Sequence, residues 1–238
     1  MQGLDAQREY WNAAATSAAF THPLDAELLR RHVEPSGRLL DYGCGYGRLL
    51  GELRRRGFRN LAGLDASEAM VARARLRVPG VPIAVCGAPP TGHPDASFDA
   101  VLLFAVLTCV PRDEDQRSLL AEVQRLLAPG GVLYVSDFLL HSDRRSLARY
   151  REHAPRFGTF GVFATDEGAV FRHHSLDWVR ELTEPFEGVA LEQFAVQTMR
   201  GNPATGFRFV GRRPSARGAD ERSGRVASLS HGAIGARQ

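Results

Sequence analysis

The sequence predicts an α/β protein whose parallel sheet is covered by helices on both faces. Three observations carry this. Short apolar runs alternate with amphipathic helical patterns from Gly37 onward. A glycine-rich turn joins the first run to its helix. The fourth run, FDAVLLFAVL at 98–107, is apolar in the way of a strand buried on both sides.

Each element has its own signal. FTHPLDAELLRRHV reads as a helix, because its leucines and Val33 recur at helical spacing. GRLLDYG is a strand, and RLLGELRRRGF is a helix closed by Gly57. LAGLDAS is the second strand; SEAMVARARLRV is the second helix, with Ser67 as its N-cap. VPIAVC is the third strand. After the fourth, EDQRSLLAEVQRLLAPGG is a helix stopped by Pro129, Gly130 and Gly131, and VLYVSDFLL is the fifth strand. The pattern then changes. SDRRSLARYREH is helical, and 157–174 reads as two short strands joined by a turn at Asp166 to Gly168. SLDWVRELTEPF is a helix capped by Ser175. GVALEQFAVQTM and ATGFRFVGRR are closing antiparallel strands, with NPAT as their turn. Residues 214–238 are rich in Ser, Gly, Ala and Arg and are read as a disordered tail.

The bulk numbers narrow the class. A chain of 238 residues with 44% hydrophobic and 24% charged residues fits one globular domain with extensions. No run approaches the roughly 20 apolar residues of a membrane span. The N-terminus lacks a secretory layout, so the expected location is the cytoplasm, with no membrane partner. All 30 basic residues are arginine, which reads as a compositional habit. The excess charge sits largely in the tail, so a nucleic-acid groove is not expected. Cys44, Cys86 and Cys109 show no metal-type spacing and read as small buried apolar residues.

The chemistry-bearing residues begin with LLDYGCGYGR at 39–48. Gly43, Gly45 and Gly47 follow a strand and open a helix, where glycine permits a tight turn and close approach of a ligand to the backbone. The pattern is DxGxGxG with Asp41 ahead of the first glycine, not the GxGxxG of dinucleotide loops. The loop has no lysine followed by Ser or Thr, so it is not a triphosphate loop. Asp65 ends the second strand, 18 positions after Gly47, where an acid can accept both ribose hydroxyls of a nucleoside.

On these residues, with PDASFDAV, LLAPGG and VLYVSDF, the sequence over 37–138 resembles the class I S-adenosylmethionine-dependent methyltransferases. The resemblance implies a Rossmann-like, doubly wound, mostly parallel seven-stranded sheet with an antiparallel last strand. It implies S-adenosylmethionine as cofactor and S-adenosylhomocysteine as product. It assigns cofactor contacts to Asp41, Gly43, Gly45, Gly47, Asp65, Ala66, Phe104 and Ala105, with Asp41 orienting the loop or meeting the cofactor amine. Many relatives carry an Asp for the adenine amine after the third strand; this chain has Cys86, Gly87 and Ala88 there. Backbone groups and the apolar Met70 and Ala88 are expected to hold the adenine instead. Tyr46, between two glycines, is expected to line or shield the cofactor.

The acceptor is expected to be a small molecule offering an O, N, S or C nucleophile. The Asn-Pro-Pro-aromatic and Pro-Cys signatures of base methylation are missing at their places, and no acid set accompanies Asp137 for a metal. A base helps if the nucleophile is a hydroxyl or an acidic carbon. His22, His141 and His173 are the candidates, ahead of His153 and His174. Residues 1–36 are read as a helical lid and about 141–174 as a substrate cap within a 37–213 domain. Together they offer Tyr10, Trp11, Phe20, Tyr150, Phe171 and His174 to a substrate. The expected state is a monomer or homodimer. Two rivals stand beside this reading: a noncatalytic cofactor-binding sensor or assembly protein, and another S-adenosylmethionine reaction, such as a cyclisation or aminopropyl transfer, on the same scaffold.

Overall fold

In a computed structural model of the chain, residues 2–215 are described. The tail reading therefore lies almost wholly outside the described residues. The N-terminal part holds helices α1 (Gln2–Ala14) and α2 (Ala26–Arg30). Then follow β1 (Arg38–Tyr42), α3 (Arg48–Arg55), β2 (Asn60–Asp65), α4 (Glu68–Arg77), β3 (Ile83–Val85) and β4 (Phe98–Phe104). A single 3₁₀ turn, Leu107–Cys109, precedes α5 (Asp113–Leu126) and β5 (Leu127–Phe138). The rest comprises α6 (Arg144–Phe157), β6 (Val162–Ala164), β7 (Val170–Arg172), α7 (Leu176–Thr183), β8 (Glu187–Gln197) and β9 (Pro203–Arg212).

Seven strands form one sheet in the order β3-β2-β1-β4-β5-β9-β8, with β9 antiparallel to both of its neighbours. The sheet is the seven-stranded, mostly parallel one expected of the Rossmann-like methyltransferase fold. Strand alternation sorts its two faces. Leu39, Ala100, Leu102, Val132 and Tyr134 pack under α2, α3 and α4. Leu40, Tyr42, Val101, Leu103, Leu133 and Val135 pack under α5 and α7. The strand order reverses between β1 and β4, which opens a crevice at their carboxyl ends.

Local chemistry explains the boundaries. Ser67 caps α4 by accepting from the Met70 N–H, and Ser175 caps α7 by accepting from the Trp178 N–H. The helix expected over 20–33 shrinks to Ala26–Arg30. Pro23 cannot continue a hydrogen-bonded turn, and the Asp25 carboxylate caps the chain later, accepting from the Leu28 N–H at 2.9 Å. The helix expected to run to Pro129 ends at Leu126 instead. Leu127 already pairs with Phe98, so Ala128 to Gly131 lie inside β5. The fourth strand stops at Phe104, because Ala105 takes a left-handed φ of 55°.

The chain after β5 leaves the sheet through α6 and the β6–β7 hairpin and returns at α7. Gln7 on α1 ties that hairpin down. Its amide nitrogen donates to the carbonyls of Cys109 and Val170, and its Oε1 accepts from the Val170 N–H. Tyr10 and Trp11 meet Phe171 edge-on. On the same helix Asn12 binds the Ser67 hydroxyl at 2.6 Å and the Ala69 N–H at 3.2 Å. Thus α1 bridges the hairpin and the start of α4, across the crevice.

Candidate functional site

A cavity of about 890 Å³ fills the space between the carboxyl ends of the strands, α1 and the hairpin. The glycine loop forms its floor. Gly43 has φ +76°, and an added Cβ there would lie 2.5 Å from Val106 Cγ2. Asp65, at the end of β2, accepts the Gly45 N–H at 2.7 Å on one oxygen and the Ser67 N–H at 2.9 Å on the other. These bonds aim the carboxylate and tie the loop to β2. Burial nevertheless outweighs them and raises the acid.

Asp41 is deeper. It is buried on β1, and its Oδ2 has no hydrogen-bond partner. Burial pushes its pKa up to about 7; the Arg48 guanidinium offsets this in part, and Asp65 adds to it. A buried acid with an open oxygen facing a cavity is built for a cationic or hydrogen-donating ligand.

Among the residues expected to touch cofactor, Asp41, Gly43, Asp65, Ala66, Met70, Ala88, Phe104 and Ala105 line this cavity. Gly45 and Gly47 do not. The Phe20 ring covers Gly45, and a Cβ there would lie 2.1 Å from Phe20 Cε2. Gly47 lets α3 pack on α4, since its Cβ would lie 3.2 Å from that of Ala74. Tyr46, expected at the cofactor, instead stacks on Phe20 at 4.9 Å and 14°, with the Arg73 guanidinium 4.3 Å from its ring. At the opposite end of the loop set, Cys86, Gly87 and Ala88 all face the cavity, and none is an acid. Cys86 and Cys109 are half-buried and line it too, unlike the buried apolar role expected of them.

Three imidazoles occupy the far end. His22, His141 and His173 line the cavity around Phe138, with centroids 4.3, 6.3 and 5.4 Å from that ring. His22 is buried, its Nε2 lacks a partner, and desolvation lowers its pKa to about 4. The neighbouring Asp137 backbone offsets this in part. His141 is lowered mainly by burial, and its Nε2 is likewise unpartnered. Burial holds His173 well below the usual imidazole range.

Tyr150 and His174, expected to meet substrate, stand behind this wall. The Tyr150 hydroxyl accepts from the His141 N–H at 3.3 Å and bonds His173 Nδ1 at 2.6 Å. His174 is fully enclosed: Nδ1 bonds the Phe138 carbonyl at 3.0 Å and Nε2 meets the Gln116 amide at 2.9 Å. That amide also donates to Leu107 and Val110, and its oxygen accepts from Trp178 Nε1. His174 therefore braces the turn after β4. His153 sits on α6 against Phe157, away from the cavity. Tyr10, Trp11, Phe20 and Phe171 do line it.

Sequence reasoning missed Phe138, Gln7, Arg149 and the bracing role of Gln116. The Arg149 guanidinium lies 3.6 Å from the Phe163 ring centroid, and its Nε is unpartnered. A signal for Gln7 existed: it shares a helix face with Tyr10 and Trp11 at i, i+3, i+4. Asp137 is fully buried and raised to about 7 by desolvation, and accepts the Thr108 N–H at 3.1 Å. Among the described residues no three His, Cys, Asp or Glu side chains gather as a metal site. No helix of the described residues is long and apolar enough to cross a membrane.

Comparison with known proteins agrees with this geometry. Residues 40–135 match the family model described as a methyltransferase domain. Trans-aconitate 2-methyltransferase of Acidovorax sp. (strain JS42) is 42% identical over 116 residues, covering 46% of this chain and 42% of that protein. EEF1A lysine methyltransferase 4 of Mus musculus is 32% identical over 148 residues, covering 52% of this chain and 58% of its own. The chain thus spans less than two thirds of the curated relatives it matches. A solved S-adenosylmethionine-dependent methyltransferase from Methanosarcina mazei superposes with a TM-score of 0.74 at 24% identity, covering 79% of this chain and 97% of that one. Its likeness shows the shared fold. Over residues 40–135, the span that holds the glycine loop, Asp65 and the turn after β4, the chain is similar to a methyltransferase domain.

Proposed function

We propose that the chain is an S-adenosylmethionine-dependent methyltransferase acting on a small-molecule nucleophile without a metal ion. The observation that carries this is the pairing of Asp65 with the Gly45 N–H, in a cavity that Asp65 lines together with Asp41, whose Oδ2 has no partner. This donor set fits the cofactor. Asp65 offers its oxygens to ribose hydroxyls, and Asp41 offers the counter-charge for an α-ammonium group. Met70, Ala88 and the backbone after β3 form an apolar slot for adenine. When bound, S-adenosylmethionine supplies a methyl group already activated by its sulfonium.

The protein's own work is then alignment and exclusion of water. Ala105, held in its left-handed turn by a 2.8 Å bond from its N–H to the Ser136 carbonyl, sets the backbone between the two ends of the cavity. Residues 1–36 act as a lid through α1, and the segment around 141–174 acts as a cap; Gln7 and the Tyr10–Phe171 contact close them together. An aromatic-walled cavity supports a small acceptor over a protein chain, as does the name of the trans-aconitate relatives. A monomer or homodimer in the cytoplasm is the working form of this proposal.

The test is calorimetric titration of the purified protein with S-adenosylmethionine and with S-adenosylhomocysteine, beside Asp65→Ala. Saturable binding that the variant loses by about a hundredfold supports the reading, since two charge-assisted contacts disappear. No binding of either ligand overturns it.

A further inference from the structure

We propose that Arg149, on the cap helix α6, is the anchor for a carboxylate carried by the methyl acceptor. This names the acceptor class of the methyltransferase reading and rests on that reading for its biological use.

Arg149 is a charge held in place without a counter-ion. It lines the cavity, half-buried, with its guanidinium carbon 3.6 Å from the centroid of the Phe163 ring. That distance is a flat contact of guanidinium on ring. The N–H donors therefore lie in a plane parallel to the ring, and the ring satisfies none of them. Phe163 is itself fixed: it is buried, 5.1 Å from His173, 5.9 Å from Tyr150 and 6.2 Å from Phe171. Arg149 Nε is shut off from solvent with no hydrogen-bond partner. Among the described residues no ion pair joins Arg149 to an acid, whereas Arg48 and Arg200 of the same cavity are matched by Glu52 and Glu167. The polar neighbour of Arg149 is the Tyr150 hydroxyl, a neutral group that already bonds His173 Nδ1 at 2.6 Å. Burial outweighs these neighbours and disfavours the charged guanidinium, so an arriving anion relieves a standing cost.

The surroundings leave that charge uncancelled. Arg145, one turn earlier on α6, lines the cavity too. His141 and His173 share the wall, and burial lowers both, so neither brings a fixed charge at neutral pH. Asp143 is the acid of this stretch; it is exposed and caps α6, accepting the Ser146 N–H at 3.0 Å. A flat carboxylate can take two parallel N–H bonds in the guanidinium plane, clear of the ring beneath. A tetrahedral phosphate offers the same charge without that flatness and is the other ligand to test.

Binding of benzoate, benzamide and phenyl phosphate to the full chain is measured by calorimetry at pH 7, with and without saturating S-adenosylhomocysteine. Benzoate is expected to bind about tenfold or more tighter than benzamide, which has the same ring and shape but no charge. S-adenosylhomocysteine carries a carboxylate of its own, so the loaded protein shows whether Arg149 stays open to a second one. Arg149→Gln should erase the preference, Arg149→Lys should keep part of it, and Arg145→Gln should keep most of it. Nitrogen-15 NMR separates an anchor from a packing residue: the Arg149 Nε–H signal should shift on adding benzoate and stay in place on adding benzamide. The ligand comparison and this signal, both read on the unaltered protein, decide the matter even if a variant fails to fold. Equal binding of benzoate and benzamide, tighter binding of phenyl phosphate, no saturable benzoate binding, an unmoved Arg149 signal, or loss of benzoate binding from the loaded protein overturns the proposal. Failure of S-adenosylhomocysteine to bind sinks the cofactor reading instead, and the benzoate comparison without it is read on its own.

Discussion

Asp41→Asn should make the ligand-free protein more stable by about 1–2 kcal/mol at pH 5, and by about 2–3 kcal/mol more than that at pH 8. The carboxyl is fully buried, and its pKa rises from 3.8 to about 7, chiefly by desolvation. Between those values the folded protein holds a proton that the unfolded chain releases. The stability that the neutral form gives is thus whole only below 3.8, falls steadily above it, and is gone once pH has passed about 7. Two pH units at 1.36 kcal/mol each give a swing of about 2–3 kcal/mol between pH 5 and pH 8. The profile of the natural protein alone hides this swing. His22 and His174, lowered to about 4 and about 3, are neutral when folded and gain protons on unfolding below their ordinary pKa. Their contribution therefore falls as pH falls, with the opposite sign. Both proteins share those histidines, so the difference between them isolates Asp41. Urea unfolding of the two at pH 5, 6, 7 and 8 measures it. A stability difference that stays constant across that range, or a variant less stable at pH 8, refutes the reasoning.

Three further outcomes test the architecture. Gly45→Ala should lower stability by about 1–3 kcal/mol and weaken S-adenosylhomocysteine binding, because φ is +51° and the new Cβ meets the Phe20 ring; in a Phe20→Ala background the stability cost should shrink towards that of backbone strain alone. Gln116→Leu should cost about 2–4 kcal/mol in urea unfolding, since it strands Trp178 Nε1, His174 Nε2 and two loop carbonyls. Ala105→Gly should raise the unfolding free energy by up to about 1 kcal/mol by relieving a left-handed alanine, with thermal denaturation as the check.

The fold was legible because strand and helix periods speak locally. DYGCGYGR and GLDAS placed the crevice, since a glycine turn and an acid at consecutive strand ends report backbone geometry directly. Helix ends were read less well. Pro129 and Gly130 looked like stops, but pairing of Leu127 with Phe98 claims those residues for β5, a tertiary effect that no local pattern reports. Histidines illustrate the same limit within the site. His173 and His174 are adjacent in sequence and alternate across an extended backbone, so one faces the cavity and the other the core. Only the positions of Tyr150 and Gln116 decide which is which. The roles of Gly45 and Gly47 were also hidden, because a glycine needed for helix packing or for an aromatic cover looks like one needed for a ligand.

The unpartnered polar atoms of residues lining the cavity include the acid oxygen of Asp41, the imidazole nitrogens of His22 and His141, the guanidinium Nε atoms of Arg48 and Arg149, and the Thr165 hydroxyl. A ligand that brings an ammonium group to Asp41 stabilises its charged form and lowers its pKa, so the gain in stability must grow with pH. S-adenosylhomocysteine should therefore stabilise the natural protein more than Asp41→Asn, and increasingly so from pH 6 to pH 8. Thermal shifts of the two proteins with and without S-adenosylhomocysteine read this directly. Equal effects of S-adenosylhomocysteine on both proteins would place its ammonium group away from Asp41 and leave the buried acid as a device for ordering the loop.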